Sequence, residues 1–199
     1  MLGILIPLAL FVVFFAIIAM IGGDGLWSNF ILLVNVILAG ILATNFFEPL
    51  ASLVSGFWAG GGIFMDLFSL WFLFILFLIP MRLATDFVSR TRVRFQKHLD
   101  VVGGFAMAAL VGWVVVCFTT MTLHTAPLAR NFMGGGFTPE KGVLFGYHPD
   151  RLWLGFSQQM SQGTFARGGS HVFDSKGDFM IRYATRRDKY DKVDSMFLQ

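Results

Sequence analysis

Positive charge is missing from the first 81 residues, which contain no lysine or arginine and only three ionisable side chains, Asp24, Glu48 and Asp66. All 15 lysines and arginines lie in residues 82–199, and the chain as a whole is 14% charged. A soluble domain usually carries about 25% charged residues, so this composition excludes an ordinary soluble domain. The basic residues also form no stripe interleaved with stacking aromatic side chains, and they do not indicate a nucleic-acid partner.

Cysteine is nearly absent: Cys117 is the only one, and a single cysteine cannot form an internal disulfide. The sequence also lacks the zinc-binding HExxH, the redox CxxC, the glycine-rich phosphate-binding loop and the GxSxG nucleophile turn. The four histidines are dispersed outside the apolar runs, which does not indicate a metal site; they are His98, His124, His148 and His171. We therefore expect no enzymatic activity, no metal and no cofactor.

Four long apolar runs are present, and each is close to the roughly 20 residues that a helix needs to cross the hydrocarbon core of a bilayer. They are residues 2–21, 26–47, 63–81 and 101–123. A lone strand would leave backbone groups unpaired in lipid, so these runs must be helices. The sequence thus predicts an all-α, four-span membrane domain over residues 1–123 and a polar C-terminal tail over residues 124–199.

Three boundary features refine this prediction. The first run has no basic residue before it and no A-x-A-like cleavage site after it, so we expect a retained span. Glu48-Pro49 is predicted to end the second helix, because a residue before proline is pushed out of the helical region. Residues 50–62 would then be a short interfacial or re-entrant segment. Leu83, Phe87 and Val88 indicate that the third helix continues beyond the membrane.

The loop between the third and fourth runs predicts the orientation of the chain. Its basic residues exceed its acidic residues Asp86 and Asp100, and the positive-inside rule therefore places this loop in the cytoplasm. The N-terminus and the tail would then face outward, on the side of the membrane opposite the cytoplasm. The loop either only fixes this orientation or also binds anionic lipid headgroups. Its basic residues are Arg82, Arg90, Arg92, Arg94 and Lys97.

The tail contains one predicted amphipathic helix, over residues 149–160. Leu152, Trp153, Phe156 and Met160 would share one face of it at helical spacing. We expect the rest of the tail to be mostly irregular, and residues 184–199 to be mobile because they mix charges of both signs at a chain end.

Small residues recur every four positions in the fourth run, at Gly104, Ala108 and Gly112. This spacing places them on one helix face, where another backbone can approach closely. The pattern predicts a seam for helix packing or a contact between copies of the chain.

Two polar residues are candidates for a solute path. Asn35 lies inside the second run, where an amide either bonds a neighbouring helix or lines a path. Asp66 lies in the first turn of the third helix, where the helix dipole stabilises a carboxylate; a proton or cation role is the alternative.

The order of these features resembles the CvpA family, the colicin V production proteins of bacterial inner membranes. The similar residues are Leu99-Asp100-Val101-Val102-Gly103-Gly104-Phe105, running into the fourth span, and Phe46-Phe47-Glu48-Pro49-Leu50. The resemblance covers about residues 1–125, and the long tail makes the chain a divergent member with a C-terminal extension. In such a loop, Asp100, Gly103 and Gly104 are the residues that match the family.

The resemblance implies a non-enzymatic scaffold or accessory factor in toxin secretion or envelope maintenance. Its partners would be the lipid bilayer, envelope proteins and a second copy of the chain. The alternative from the residues themselves is a small oligomeric channel or transporter in which Asn35 and Asp66 line a path.

Overall fold

The structure, a computed structural model, describes residues 4–57, 64–89, 95–126, 142–144, 146–163 and 172–186. These residues build an all-α fold with four helices that are long and apolar enough to cross a membrane. The four-span prediction is therefore confirmed. The spanning helices are α1 (Leu5–Ile21), α2 (Leu26–Phe57), α3 (Met65–Val88) and α4 (Lys97–Thr125), and the tail adds α5 (Pro149–Gln162) and a short helix over residues 179–186.

The spanning helices define two ends of the bundle. At the turn end, a short 3₁₀ helix, Gly22–Asp24, joins α1 to α2, and α4 begins. At the tail end, α2 ends, α3 begins, and α5 and residues 172–186 pack against the bundle. One buried core combines side chains of α2, α3 and α4 with Trp153, Phe173 and Phe179 of the tail. The tail is thus part of the hydrophobic core and not a separate unit.

Helix α2 does not end at Glu48-Pro49, so that prediction is wrong. The helix continues to Phe57, with Pro49 in its interior. Residues 58–62 of the predicted interfacial or re-entrant segment lie outside the described residues. Proline in a helix interior costs about 3 kcal/mol. Phe47 and Ala51, on either side of it, are buried, and this packing holds the helix together. Helix α3 does continue to Val88, as predicted, and contains Pro80.

The row of small residues on α4 packs against α1 within the chain. A Cβ atom on Gly104 would lie 3.0 Å from the carbonyl oxygen of Gly22 and 3.1 Å from the Cα atom of Gly25. A Cβ atom on Gly112 would lie 3.0 Å from the Phe14 ring, and Ala108 between them is fully buried. The absence of larger side chains on this face is what lets the two backbones approach.

At the turn end, side chains form hydrogen bonds with backbone N–H and C=O groups, including an N–H group at a helix start that has no partner within its own helix. The Leu26 amide, at the start of α2, donates to Asp100 Oδ1 at 2.9 Å. The Asn29 amide nitrogen donates to the carbonyl oxygens of Ile21 at 2.9 Å and Gly104 at 3.0 Å. Asp100 therefore acts for α2 as an N-cap side chain does, although it belongs to α4.

Replacing Gly104 by valine is expected to destabilise the protein by about 1–3 kcal/mol, because the new side chain would push against backbone atoms that cannot move aside. Cys117 is buried and is the only cysteine, so maleimide labelling of its thiol during heating reports unfolding. The matched control is Gly155→Ala on α5, where a Cβ atom would meet nothing within 4 Å. Equal labelling midpoints for both variants would contradict the close approach of α4 to the turn that joins α1 and α2.

Replacing Asp100 by alanine is expected to cost about 1 kcal/mol, because the Leu26 amide loses its acceptor. Hydrogen exchange at that amide measures the effect directly. The control is Asp100→Asn, which keeps an acceptor oxygen and should retain most of the protection. Unchanged exchange in the alanine variant would show that the cap contributes nothing.

Candidate functional site

A cavity of about 390 Å³ lies at the tail end of the bundle, between the last turns of α2, the first turn of α3 and the helix over residues 179–186. Its polar wall is formed by two carboxylates, two guanidinium groups and a phenol. We call it the charged cavity; it is lined by Glu48, Ala51, Ser52, Ser55, Met65, Asp66, Arg182, Tyr183 and Arg186.

The local sequence explains how the arginines reach this cavity. The backbone amides of Asp178 and Phe179 donate to Asp174 Oδ1 at 2.9 and 3.1 Å, so Asp174 starts the helix over residues 179–186. Phe179 is fully buried, and its ring centroid lies 6.3 Å from that of Phe47 on α2. This contact fixes the rotation of the short helix and aims Arg182 and Arg186 at the bundle.

Each arginine meets a carboxylate from a spanning helix. Arg182 Nη1 lies 3.3 Å from Glu48 Oε1, and its Nε lies 2.9 Å from Asp178 Oδ1. Arg186 forms an ion pair with Asp66, which is almost fully buried. Glu48, Asp66, Arg182 and Arg186 together carry two negative and two positive charges, so these four side chains have no net charge.

Burial and the neighbouring carboxylates keep the phenol of Tyr183 protonated. Burial raises the pKa of Tyr183, and the neighbouring carboxylates of Asp66 and Glu48 raise that pKa further. Burial alone would lower the pKa of Arg182, but Glu48 and Asp178 outweigh it and raise that pKa. The cavity therefore offers fixed positive charges and a hydroxyl donor beside two carboxylate acceptors, a set that suits binding of a charged group.

A second polar contact, deeper in the structure, attaches α5 to α4. His124 Nε2 lies 2.8 Å from Asp150 Oδ2, and each side chain is 1% exposed. Burial raises the pKa of Asp150, but the hydrogen bond and charge of His124 outweigh it and hold that pKa below its usual value. The carboxylate is thus ionised and accepts, so His124 Nε2 carries the proton and donates.

Trp153 adds an anchor one turn further along α5. Its indole nitrogen donates to Thr44 Oγ1 of α2 at 3.0 Å. The ring fills the space above Gly40, where a Cβ atom would lie 2.5 Å from it, and meets the Phe118 ring edge-on. Helix α5 is therefore held by α4 and α2 at once.

The two candidates for a solute path lie far apart. Asn35 donates from its amide nitrogen to Thr85 Oγ1 of α3 at 2.9 Å, near the turn end. Asp66 lies in the first turn of α3 at the tail end and is bound to Arg186. Residues 66 and 85 are about 28 Å apart along the helix at 1.5 Å per residue. The path itself stays a prediction.

The predicted basic loop is described only in part. Arg82 lies within α3, where it pairs with Asp86 at 3.0 Å and donates to Ser28 Oγ of α2 at 3.2 Å. Lys97 begins α4 and is exposed. Arg90, Arg92 and Arg94 lie outside the described residues. Of the three loop residues that carry the expected CvpA resemblance, Asp100 and Gly104 make the turn-end contacts above, and a Cβ atom on Gly103 would lie 2.8 Å from the Leu26 side chain. The resemblance itself stays a prediction.

Helix α5 differs in detail from its predicted form. It ends at Gln162, two residues past the predicted end, and its buried face includes Trp153 and Leu154, whereas Leu152 is 57% exposed. Asp150, Ser157 and Ser161 are also buried. The predicted apolar face is thus divided in the structure: Trp153 packs into the bundle, and Leu152 beside it stays exposed. The contact of Asp150 with His124 turns the Trp153 side of the helix toward the bundle.

The arginines and tyrosine of the charged cavity were not expected from the sequence. The predicted mobile segment, residues 184–199, overlaps the helix over 179–186, so its first three residues are ordered and Arg186 is ion-paired. Residues 187–199 lie outside the described part. A local signal did exist: Phe179, Tyr183 and Arg186 recur at helical spacing after an aspartate. Among the described residues, no three metal-binding side chains lie together.

Replacing His124 by leucine is expected to destabilise the protein by about 3–5 kcal/mol, because the buried Asp150 carboxylate would be left without its partner. Asp150→Asn should cost less, since the amide oxygen can still accept from the Nε2–H group of His124. The control is Glu48→Gln, which weakens an exposed pair worth about 0–1 kcal/mol. Cys117 labelling under thermal unfolding ranks the three variants, and any other order would contradict this assignment.

Comparison with protein-family models finds no match to this chain, and comparison with curated proteins and with solved structures likewise finds none.

Proposed function

We propose that the protein is a non-enzymatic membrane scaffold or accessory factor. In this role it resembles the CvpA proteins and acts in toxin secretion or envelope maintenance. Its membrane is the bacterial inner membrane, with the N-terminus and the tail in the periplasm. The observation that carries the proposal is the attachment of the tail: α5 and residues 172–186 are built into the end of the bundle through buried contacts. The protein thus presents a fixed surface at that end.

The surface at the tail end offers contact points for a partner. Tyr147 is 71% exposed and Leu152 is 57% exposed, although both belong to the polar tail and not to the spanning helices. Tyrosine is enriched among the residues that dominate protein–protein contacts, and Leu152 adds an exposed apolar side chain to the same part of the tail. Their fixed position on α5 and the turn before it favours recognition of a specific partner over a loose tether.

The channel alternative receives less support from the same contacts. A path would need polar side chains along the bundle, but Asn35 and Asp66 are each engaged with a partner at opposite ends of α3. Thr44 and Thr120, which are also buried, donate to carbonyl oxygens of their own helices. The buried polar groups therefore stabilise helices and helix contacts, which favours a scaffold.

Photocrosslinking in cells tests the proposal. A benzophenone side chain at position 152 is expected to form adducts with envelope proteins, whereas the same side chain at position 72, on the apolar face of α3, should form none. The substitution Leu152→Glu should reduce co-purification of the same partners at least about fivefold, because a buried charge weakens an apolar contact by more than 1 kcal/mol. Reporter fusions after residues 24, 95 and 199 determine which compartment holds the tail.

Two results would overturn the scaffold role. One is the absence of adducts at position 152 under conditions in which the protein is folded. The other is solute or ion flux through liposomes containing the purified protein that is abolished by Asn35→Leu. A cytoplasmic tail in the reporter fusions would reject the proposed orientation.

A further inference from the structure

An apolar groove runs along the membrane face of the bundle between the end of α2 and the start of α3. Its volume is about 580 Å³, and its walls are formed by Leu50 and Val54 of α2 and by Phe64, Phe68 and Phe72 of α3. Phe68 is 63% exposed and Phe72 is 57% exposed. On a helix that crosses a membrane, such side chains face the acyl chains of lipids.

The groove adjoins the charged cavity. Met65 lines both of them, and Asp66, the next residue of the chain, belongs to the charged cavity. A purely apolar space therefore adjoins a space lined by ionised groups within one turn of α3. The first turn of a spanning helix is also the level at which hydrocarbon gives way to headgroups. A molecule that filled both spaces would have an apolar chain and a charged end.

The charged side chains of the cavity indicate which headgroup the charged end of such a molecule would have. Among the side chains that line the cavity, two carboxylates and two guanidinium groups balance, while Asp178 and Asp174 contact Arg182 from outside the lining. A ligand with net charge would leave an excess of one sign within this partly buried lining. A headgroup with one phosphate and one ammonium group matches the set, because guanidinium binds phosphate strongly and carboxylates bind ammonium. The arginine side chains are nearly half exposed, so they can turn from a carboxylate toward an incoming phosphate.

We infer that the charged cavity and the groove together bind one phospholipid of the bilayer that has a zwitterionic headgroup. Arg182 and Arg186 hold its phosphate, Glu48 and Asp66 hold its ammonium group, and one acyl chain lies in the groove along Phe68 and Phe72. This site is independent of the scaffold role, since neither Tyr147 nor Leu152 lines the charged cavity or the groove.

Native mass spectrometry of the full-length protein, delipidated in detergent and then titrated with defined lipids, tests this inference. The expected result is one bound phosphatidylethanolamine per chain, retained about tenfold more strongly than phosphatidylglycerol with the same acyl chains, a difference of about 1.4 kcal/mol. Glycerophosphoethanolamine, which has the headgroup but no acyl chains, should not compete at the same concentration.

Two variants test the charged cavity and the groove separately. Arg182→Gln combined with Arg186→Gln removes the phosphate contacts, and Val54→Trp fills the groove while leaving every charge in place. Each should weaken phosphatidylethanolamine binding at least about tenfold. The matched controls are Lys176→Gln, which removes an exposed positive charge of the tail, and Phe30→Ala, which removes an exposed ring near the turn end. Both controls should bind as the wild type does.

The labelling midpoint of Cys117 shows whether each variant is folded, and only folded variants are compared. Equal or stronger retention of phosphatidylglycerol would overturn the headgroup assignment. Competition by glycerophosphoethanolamine would show a headgroup site without a lipid chain, and undiminished binding in both the arginine and the groove variant would place the lipid elsewhere. Each of these outcomes rejects the inference.

Discussion

The contact between His124 and Asp150 is the constraint on which the placement of the tail depends. It joins the last turn of α4 to the first turn of α5, and it is buried from water on both sides. Once α5 is fixed there, Trp153 reaches Thr44 and Gly40 of α2. The residues that follow α5 then lie over the end of α2, where Phe179 meets Phe47. The charged cavity is thus a consequence of an attachment made elsewhere on the bundle.

The polar side chains within the spans share one task. Asn29 binds the carbonyl oxygens of Ile21 and Gly104, and Asn45 binds that of Ile41 in its own helix. Asp100 binds a free amide of α2. Hydrocarbon offers no hydrogen bonds, so each open backbone group must be satisfied by the protein itself. The few polar residues of this apolar region mainly form hydrogen bonds that cap helix ends and connect neighbouring helices.

Local patterns in the sequence predict much of the fold. The four apolar runs predict the spanning helices, and Pro149 together with the apolar spacing after it predicts α5. Both signals depend only on residues that are close in sequence. The continuation of α2 past Pro49 was missed, since it depends on the burial of Phe47 and Ala51 by other segments. The charged cavity was missed because it joins residues 120 and 134 positions apart, a distance over which no local pattern carries information.

The length of α2 has a consequence for the membrane in which the protein can work. Ser28, which binds Arg82, and Glu48, which binds Arg182, are positions at which charged side chains of other segments contact α2. Twenty residues of helix separate them, about 30 Å, which equals the thickness of a typical hydrocarbon core. A thicker bilayer would draw Glu48 and Asp66 toward hydrocarbon, and a thinner one would expose apolar rings to water. A hydrocarbon core of about this thickness therefore keeps both contacts at its edges.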